Sequence, residues 1–487
     1  MKPFRISTFG RHEPKKMGSF LVIVCVALSL TALSLIKTRF CSAPNVVKVP
    51  QISVSENLKI AAEVEPPLED DDEDDADNAN IVNANAKGEH RVVQVSAAKP
   101  ICVTTGKRSD TCEVDGDVRV HANSTTIFFV RRQSSSSSLP SNQQQQEWRI
   151  RPYARKGSMV QAHVKEWTVK MVDPGDASLP ACTKTHAVPA VVFSVGGFTG
   201  NLFHDFTDVL VPLFVSAHQF GGEVQLLVSD TKPWWVGKFL PVLKQLSRHK
   251  IVDADNDEEG ARCFPRAVLG PAFHKEIGVD ASLTPGGYGM AEFREAMARA
   301  FGLRRRTAGG TARPRLLIIS RRHSRAFLNE RGMGEMARSL GYEVVAVEPD
   351  AGTEVGKVAR VVNTADVMVG VHGAGLTNMV FLPEGAVVVQ VIPLGGLEWL
   401  ARDSFREPAG GMGLKYLEYR IREEESSLAE QYPGDHPVLR NPMAVHQQGW
   451  GALKSVYLDN QNVRPHLSRL RKTLLEARQL LPPNNFR

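Results

Sequence analysis

The sequence predicts an α/β protein of two folded halves facing a cleft, preceded by a membrane anchor and a solvated stem. Three observations carry this. Short apolar runs alternate with amphipathic stretches from Val188 onward, the alternation restarts after a Gly/Pro/Arg-rich segment, and one twenty-residue uncharged span lies near the N-terminus. Strands that alternate with helices of roughly 10–15 residues mark parallel sheets with crossover helices.

The uncharged span, residues 17–36, is long enough to cross a hydrocarbon core of about 30 Å as a helix. Lys2, Arg5, Arg11, Lys15 and Lys16 precede it against one acid, Glu13, which holds the N-terminus in the cytosol and sends the rest to the lumen. A cleaved signal peptide would have a shorter apolar region ending in small residues; here Lys37, Thr38 and Arg39 follow. The expected topology is a cytosolic tail (1–16), a signal anchor (17–36) and a lumenal stem (37–98).

The stem has few aromatics and carries ten carboxylates with no Lys or Arg between Glu63 and Asp77, so it reads as an extended tether without a core. It also hides the charge of the rest. The chain of 487 residues has a formal net charge of +6, but outside that run 59 basic residues face 43 acidic ones. A basic body suits an anionic small molecule, an acidic polymer or a membrane face. A hydrophobic fraction of 42% with 23% charged residues excludes a wholly disordered or fibrous chain.

Beyond the span and Cys41, four cysteines remain. In an oxidising lumen they allow three pairings; Cys102 with Cys112, which closes a short loop, is the first choice, and Cys182 with Cys263 would follow. No C-x-x-C or His pair supports zinc. Asn123 opens the one N-x-S/T sequon after the span. Ser and Gln tracts at 134–138 and 143–146 read as a loop insertion in the first half.

The first half, 99–305, has apolar strands at 188–195 and 224–228, with helical periodicity at 205–219 and 234–248. The segment 300–314 (AFGLRRRTAGGTARP) reads as the connection to the second half, 306–487. There, strands at 315–320, 343–347, 367–371 and 387–392 alternate with helices near 332–340 and 353–363, and a basic, helical C-terminus starts near Val456.

Ligands of open α/β sheets bind beyond the carboxyl ends of the strands. Two segments of the second half stand there: 320–325 (SRRHSR) and 370–378 (GVHGAGLTN). Small residues Gly373, Ala374 and Gly375 admit a pyrophosphate to backbone amides, a helix from Leu376 would aim its positive end there, and Arg321 adds a fork of donors. A tight strand-to-helix turn explains the HGAG segment equally well, and it is neither a Walker loop nor G-x-G-x-x-G.

In the first half, 196–208 (GGFTGNLFHDFTD) ends a strand and starts a helix capped by Asn201, with Phe203 and Phe206 toward the core. His204 and Asp208 share a face at i, i+4 beside Asp205. Acids favoured by the helix dipole account for this turn; a His–Asp pair facing a cleft is also general-base geometry.

Four ordered motifs give the chain a family resemblance: 109–117 (SDTCEVDGD), 197–208, 315–321 (RLLIISR), and 370–378 with Phe381, Leu382 and Pro383. Together they resemble plant family-61 glycosyltransferases, the xylan arabinosyltransferase and xylosyltransferase group. The resemblance implies a GT-B fold of two Rossmann-like domains in a single-pass type II Golgi membrane protein. It implies transfer of a pentose, arabinofuranose favoured, from a UDP-sugar to xylan by an inverting mechanism needing no metal or other cofactor, and no nucleic-acid partner. The donor would meet Ser320, Arg321, His372, Gly373, Ala374, Gly375 and Asn378; the base would be His204 with Asp205 or Asp208. Two donor readings stay open, arabinose or β-1,2-xylose, as do a homodimer and a complex with other glycosyltransferases. Two rivals differ in class: a metal-dependent GT-A transferase using the carboxylates at 251–257 (IVDADND), and a non-catalytic lumenal scaffold or polysaccharide-binding subunit.

Overall fold

The computed structural model describes residues 101–131, 146–349 and 352–483. The predicted anchor, the stem and nearly all of the Ser and Gln tracts lie outside the described residues. Among the described residues, no helix is long and apolar enough to cross a membrane.

Two sheets organise the fold. The first has ten strands: β1 (Cys102–Val103), β2 (Thr111–His121), β3 (Thr126–Val130), β4 (Glu147–Ile150), β5 (Trp167–Val172), β6 (Cys182–Thr185), β7 (Ala190–Ser194), β8 (Gln225–Ser229), β9 (Val252–Asp253) and β10 (Ala261–Leu269). Their order is β4-β5-β3-β2-β10-β7-β8-β9, with β1 on β2 and β6 on β10. The second has five: β11 (Arg315–Ile319), β12 (Glu343–Val347), β13 (Val367–Val371), β14 (Val387–Ile392) and β15 (Lys415–Arg420), in the order β12-β11-β13-β14-β15.

The second sheet is parallel throughout, as expected of apolar runs buried on both faces. The first corrects the expectation of a parallel sheet. It is mixed: β10-β7-β8-β9, β6 on β10 and β3 on β5 pair in parallel, while β2 joins β10 and β3 antiparallel, as do β1 on β2 and β4 on β5. The reason lies in side-chain pattern. Val114, Val118 and Val120 of β2 are buried while the residues between them are partly or fully exposed, the alternation of a strand with one face to the core. Val191, Val192 and Phe193 of β7 are all buried, so that strand needs cover on both sides.

Disulfides join Cys102 to Cys112 across β1–β2 and Cys182 to Cys263 across β6–β10. Asn123 stands exposed in the short turn Ala122–Ser124.

One apolar cluster runs through both halves. It holds Phe206, Phe214, Trp235, Phe239 and Phe293 from the first and Leu317, Met368, Phe381 and Phe405 from the second. The Phe381 ring lies edge-on, 5.8 Å from Phe206 and 5.6 Å from Phe301. Each such buried aromatic or aliphatic side chain contributes about 1.5–3 kcal/mol by leaving water, so this shared core fixes the two sheets against each other.

Candidate active site

The turn after β7 runs from Gly196 to the short helix Leu202–His204. Asn201 caps it, its side chain accepting from the Phe203 N–H. The next turn widens: Asp205–Leu210 is a π-helical segment, a form often found at functional sites, before Val211–Ala217 resumes the α-helix.

This widened turn gives the two aspartates different surroundings. Both are fully buried. Asp208 accepts from His204 Nδ1 at 2.8 Å, from the Tyr153 hydroxyl at 2.9 Å and from Arg155 Nε at 2.9 Å. Burial works to raise its pKa, but the bonds from His204 and Arg155 outweigh burial and hold it below the usual carboxylate range. Asp205 turns inward instead. Its Oδ1 accepts from the Gly200 N–H at 2.9 Å and Trp235 Nε1 at 2.8 Å, while Lys238 stands 3.6 Å from Oδ2. Burial pushes its pKa up, and among the described residues its carboxylate makes no hydrogen bond to His204.

Of the two aspartates, Asp208 is therefore the one that orients His204. With Nδ1–H donating to the carboxylate, Nε2 carries the free lone pair, a tautomer assigned from the network. The His204 side chain keeps 23% exposure, between Phe198 and Phe203. Tyr153 and Arg155 had no sequence signal, lying 55 and 53 residues from Asp208.

The second turn follows β13. Gly373 has φ +140°, and a Cβ there would come within 2.7 Å of Arg325 Nη1 and 3.1 Å of Arg321 Nη1. Two guanidiniums thus converge on one glycine. Arg321 Nε donates to the Ser324 carbonyl at 2.9 Å, and Arg325 Nη1 donates to the His372 carbonyl at 3.0 Å. The buried Arg325 Nε has no partner among the described residues. Burial, and then repulsion from Arg321, pushes the Arg325 pKa down to about 10; burial lowers Arg321 as well. Positive charge held in a part-dry place without a carboxylate bound to it is a site for an anion.

Arg325 has φ +53°, a left-handed conformation that swings its side chain to Gly373. Sequence reading missed it in favour of Arg321 alone. Arg322, between them, is 78% exposed and pairs with Glu348.

His372 is almost entirely buried. Its Nδ1 accepts from Gln390 Nε2 at 2.8 Å, and Gln390 Oε1 in turn accepts from the Tyr416 hydroxyl at 2.7 Å. Burial, then Arg325 and Arg321, hold the imidazole pKa down at about 3, so it stays neutral with its proton on Nε2. The helix expected from Leu376 begins earlier, as a 3₁₀ run Ala374–Phe381 behind Gly373, which leaves the N–H groups of Ala374 and Gly375 without intrahelical partners. Asn378 is buried, and its amide donates to the Gly375 carbonyl at 2.9 Å, bracing the turn. Ser320 is half-buried, its N–H on the Val347 carbonyl.

The two turns meet. Leu202–His204 packs on Ala374–Phe381. Phe203 lies 5.5 Å from His204 and 5.8 Å from Phe405, and Phe405 lies 5.5 Å from His372. A proton acceptor and an anion cradle thus stand side by side, the two parts that a group transfer with a phosphate leaving group requires.

The carboxylates at 251–257 are otherwise engaged. Asp253 accepts from Thr231 Oγ1 and Asn256, Asp255 from Lys165 and the Thr231 N–H, and Asp257 holds Arg262 with both oxygens.

A family model described as Glycosyltransferase 61 matches residues 202–389, from just before His204 into β14. The alpha-1,3-arabinosyltransferase XAT3 of Oryza sativa subsp. japonica is 43% identical, over 82% of this chain and 68% of its own. The alpha-1,3-arabinosyltransferase XAT2 of the same organism is 42% identical, over 78% of this chain and 64% of its own. Its beta-1,2-xylosyltransferase XYXT1 is 40% identical, over 78% of this chain and 84% of its own. The chain thus spans about two thirds of the length of the two arabinosyltransferases and most of the xylosyltransferase.

Proposed function

This chain belongs to the glycosyltransferase 61 family, and from that premise we propose that it transfers a pentose from a UDP-sugar to xylan. The observation that carries the reading is the convergence of Arg321 and Arg325 on Gly373 beside the His204–Asp208 pair. We read the sheets as the two domains of a GT-B enzyme, acceptor on the first (99–305) and donor on the second (306–487). The enzyme is anchored in the Golgi membrane by residues 17–36 with its body in the lumen.

In this mechanism an acceptor hydroxyl oxygen attacks the anomeric carbon as the bond from that carbon to the diphosphate breaks. His204 Nε2 takes the hydroxyl proton, and ionised Asp208 stabilises the imidazolium that forms. The charge arriving on the diphosphate meets Arg321, Arg325, the His372 Nε2–H and the free amides of the Gly373 turn, in place of a metal. One displacement inverts the anomeric centre.

Arabinofuranose is the favoured donor sugar, in keeping with the two arabinosyltransferase relatives. Xylose is the second reading, favoured by the larger share of XYXT1 that the chain covers. The test is purified lumenal protein with UDP-arabinofuranose and UDP-xylose on xylo-oligosaccharide, with and without chelator. Turnover with either donor that survives chelation is the expected result. Loss on chelation would overturn the metal-free mechanism, and no turnover with any UDP-pentose would favour a scaffold.

A further inference from the structure

Beside the His204 turn lies a groove of about 500 Å³ that the transfer chemistry does not use. It opens between the helices Pro233–Leu246 and Met290–Phe301 of the first half and the start of Val355–Val362 in the second, so both halves build it. Trp234 stands in it 52% exposed, although its neighbour Trp235 is wholly buried. An indole left that open forgoes a large burial gain, and it is held in place rather than loose. Asp205 accepts from Trp235 Nε1 and from the Gly200 N–H on one oxygen, which ties the helix carrying Trp234 to the turn carrying His204. Gly200, at φ +108°, lies against the Trp234 ring; a Cβ there would be 3.5 Å from Cη2.

Each charged group at the groove faces one of opposite sign, with one cation in excess. Lys238 faces Asp205 at 3.6 Å, and Glu354 pairs with Lys357 and Arg360 at 3.3 and 3.7 Å. This contrasts with the unpaired guanidiniums at Gly373. A flat aromatic face rimmed by ion-paired polar groups suits a neutral polyhydroxyl chain, whose C–H faces stack on the ring while its hydroxyls reach the rim, better than a phosphate, for which the Gly373 guanidiniums are the stronger site. Gly200, against the ring, precedes His204 by four residues, which span at most about 14 Å, so Trp234 stands within a short oligosaccharide of His204.

We infer that this groove is a remote acceptor subsite in which Trp234 stacks on a sugar of the xylan chain several units from the reacting hydroxyl, an inference that rests on the xylan reading above. The test compares wild type, Trp234→Ala and Trp234→Phe by calorimetric titration with xylohexaose, xylobiose and UDP, alongside kinetics with both oligosaccharides. The alanine variant should lose about tenfold in xylohexaose affinity and raise its KM to match. Xylobiose, UDP and kcat should change less than twofold, and phenylalanine should restore most of the loss. Unchanged xylohexaose binding, or equal loss for both oligosaccharides, would overturn the subsite. Loss of UDP affinity would assign the ring to the nucleobase instead and overturn it equally. Wild-type turnover on xylan decides the xylan reading independently of the variants, and binding remains measurable without turnover; wild type that binds no xylohexaose would overturn the subsite.

Discussion

The turns leaving β7 and β13 are built alike and charged differently. Each follows a strand buried on both faces, each uses small residues to change direction, and each runs into a short helix. After β7 the carboxylates are held within the protein: Asp208 holds His204, Tyr153 and Arg155, and Asp205 holds Trp235 and Gly200 on Oδ1 with Lys238 3.6 Å from Oδ2. At β13 the guanidiniums of Arg321 and Arg325 bond, among the described residues, to backbone carbonyls. The first arrangement keeps one lone pair in a fixed direction, as a proton transfer needs. The second leaves positive charge waiting for a partner, as anion capture needs.

The sharpest way to break this division is His204→Ala. Turnover should fall by roughly 10²–10⁴-fold while UDP affinity holds, because base and anion cradle are separate. Calorimetry with UDP beside the kinetics checks it; a variant that also loses UDP would merge the two turns into one site.

Next are the arginines. Arg321→Ala and Arg325→Ala should each cost roughly a hundredfold in turnover and weaken UDP, with poor rescue by lysine, which lacks the planar fork. Arg322→Ala, exposed and paired with Glu348, should stay within about twofold of wild type. Equal losses at all three positions would replace a cradle with a diffuse basic patch.

Those three arginines also show where the sequence stops being legible. Strands β11 to β14 and the small residues behind β13 could be read because a run of apolar residues ending in glycine has few physical explanations. Which of Arg321, Arg322 and Arg325 reaches Gly373 depends on one left-handed backbone angle, which no spacing reveals. The early strands have no such run: β1 is two residues long, β2 alternates buried with partly or fully exposed residues, and β6 is exposed throughout. Asp205 and Asp208 looked equivalent as helix-start acids; only distant Tyr153, Arg155 and Trp235 separate them.

The two aspartates give the third test. Asp208→Asn should lower turnover roughly ten- to hundredfold, whereas Asp205→Asn, which keeps an acceptor for Trp235 and Gly200, should change stability by less than about 1 kcal/mol. Their pH dependence has opposite sign. The lowered pKa of Asp208 makes its ionised form stabilising above the ordinary carboxylate range, and that contribution is lost as pH falls through the lowered value. The raised pKa of Asp205 does the reverse, its contribution falling as pH rises through the raised value. Thermal melts from pH 7 downward should therefore show Asp208→Asn converging on wild type in acid. Divergence there would show that the Asp208 network contributes through shape and not charge.

The mildest effect belongs to the relay behind His372. Tyr416→Phe removes one hydrogen bond from Gln390 and should cost roughly three- to tenfold in turnover. The imidazole ¹⁵N shifts should still report the Nε2–H tautomer; Gln390→Glu should move the proton to Nδ1 and cost more.

The apolar cluster shared by Phe206, Phe293, Phe381 and Phe405 couples binding to folding along the whole body. Each sheet also has an apolar cluster of its own, but both contribute side chains to the shared one, so a cut between Phe301 and Arg315 should yield fragments with an exposed apolar face that stick to themselves or to each other. On heating, the two halves of the intact body should melt together, with coincident transitions by different probes. UDP would touch only the second half. At a hundred times its dissociation constant it should nevertheless add about 2.7 kcal/mol to the stability of the His204 turn as well, protecting amides there from hydrogen exchange before any acceptor arrives.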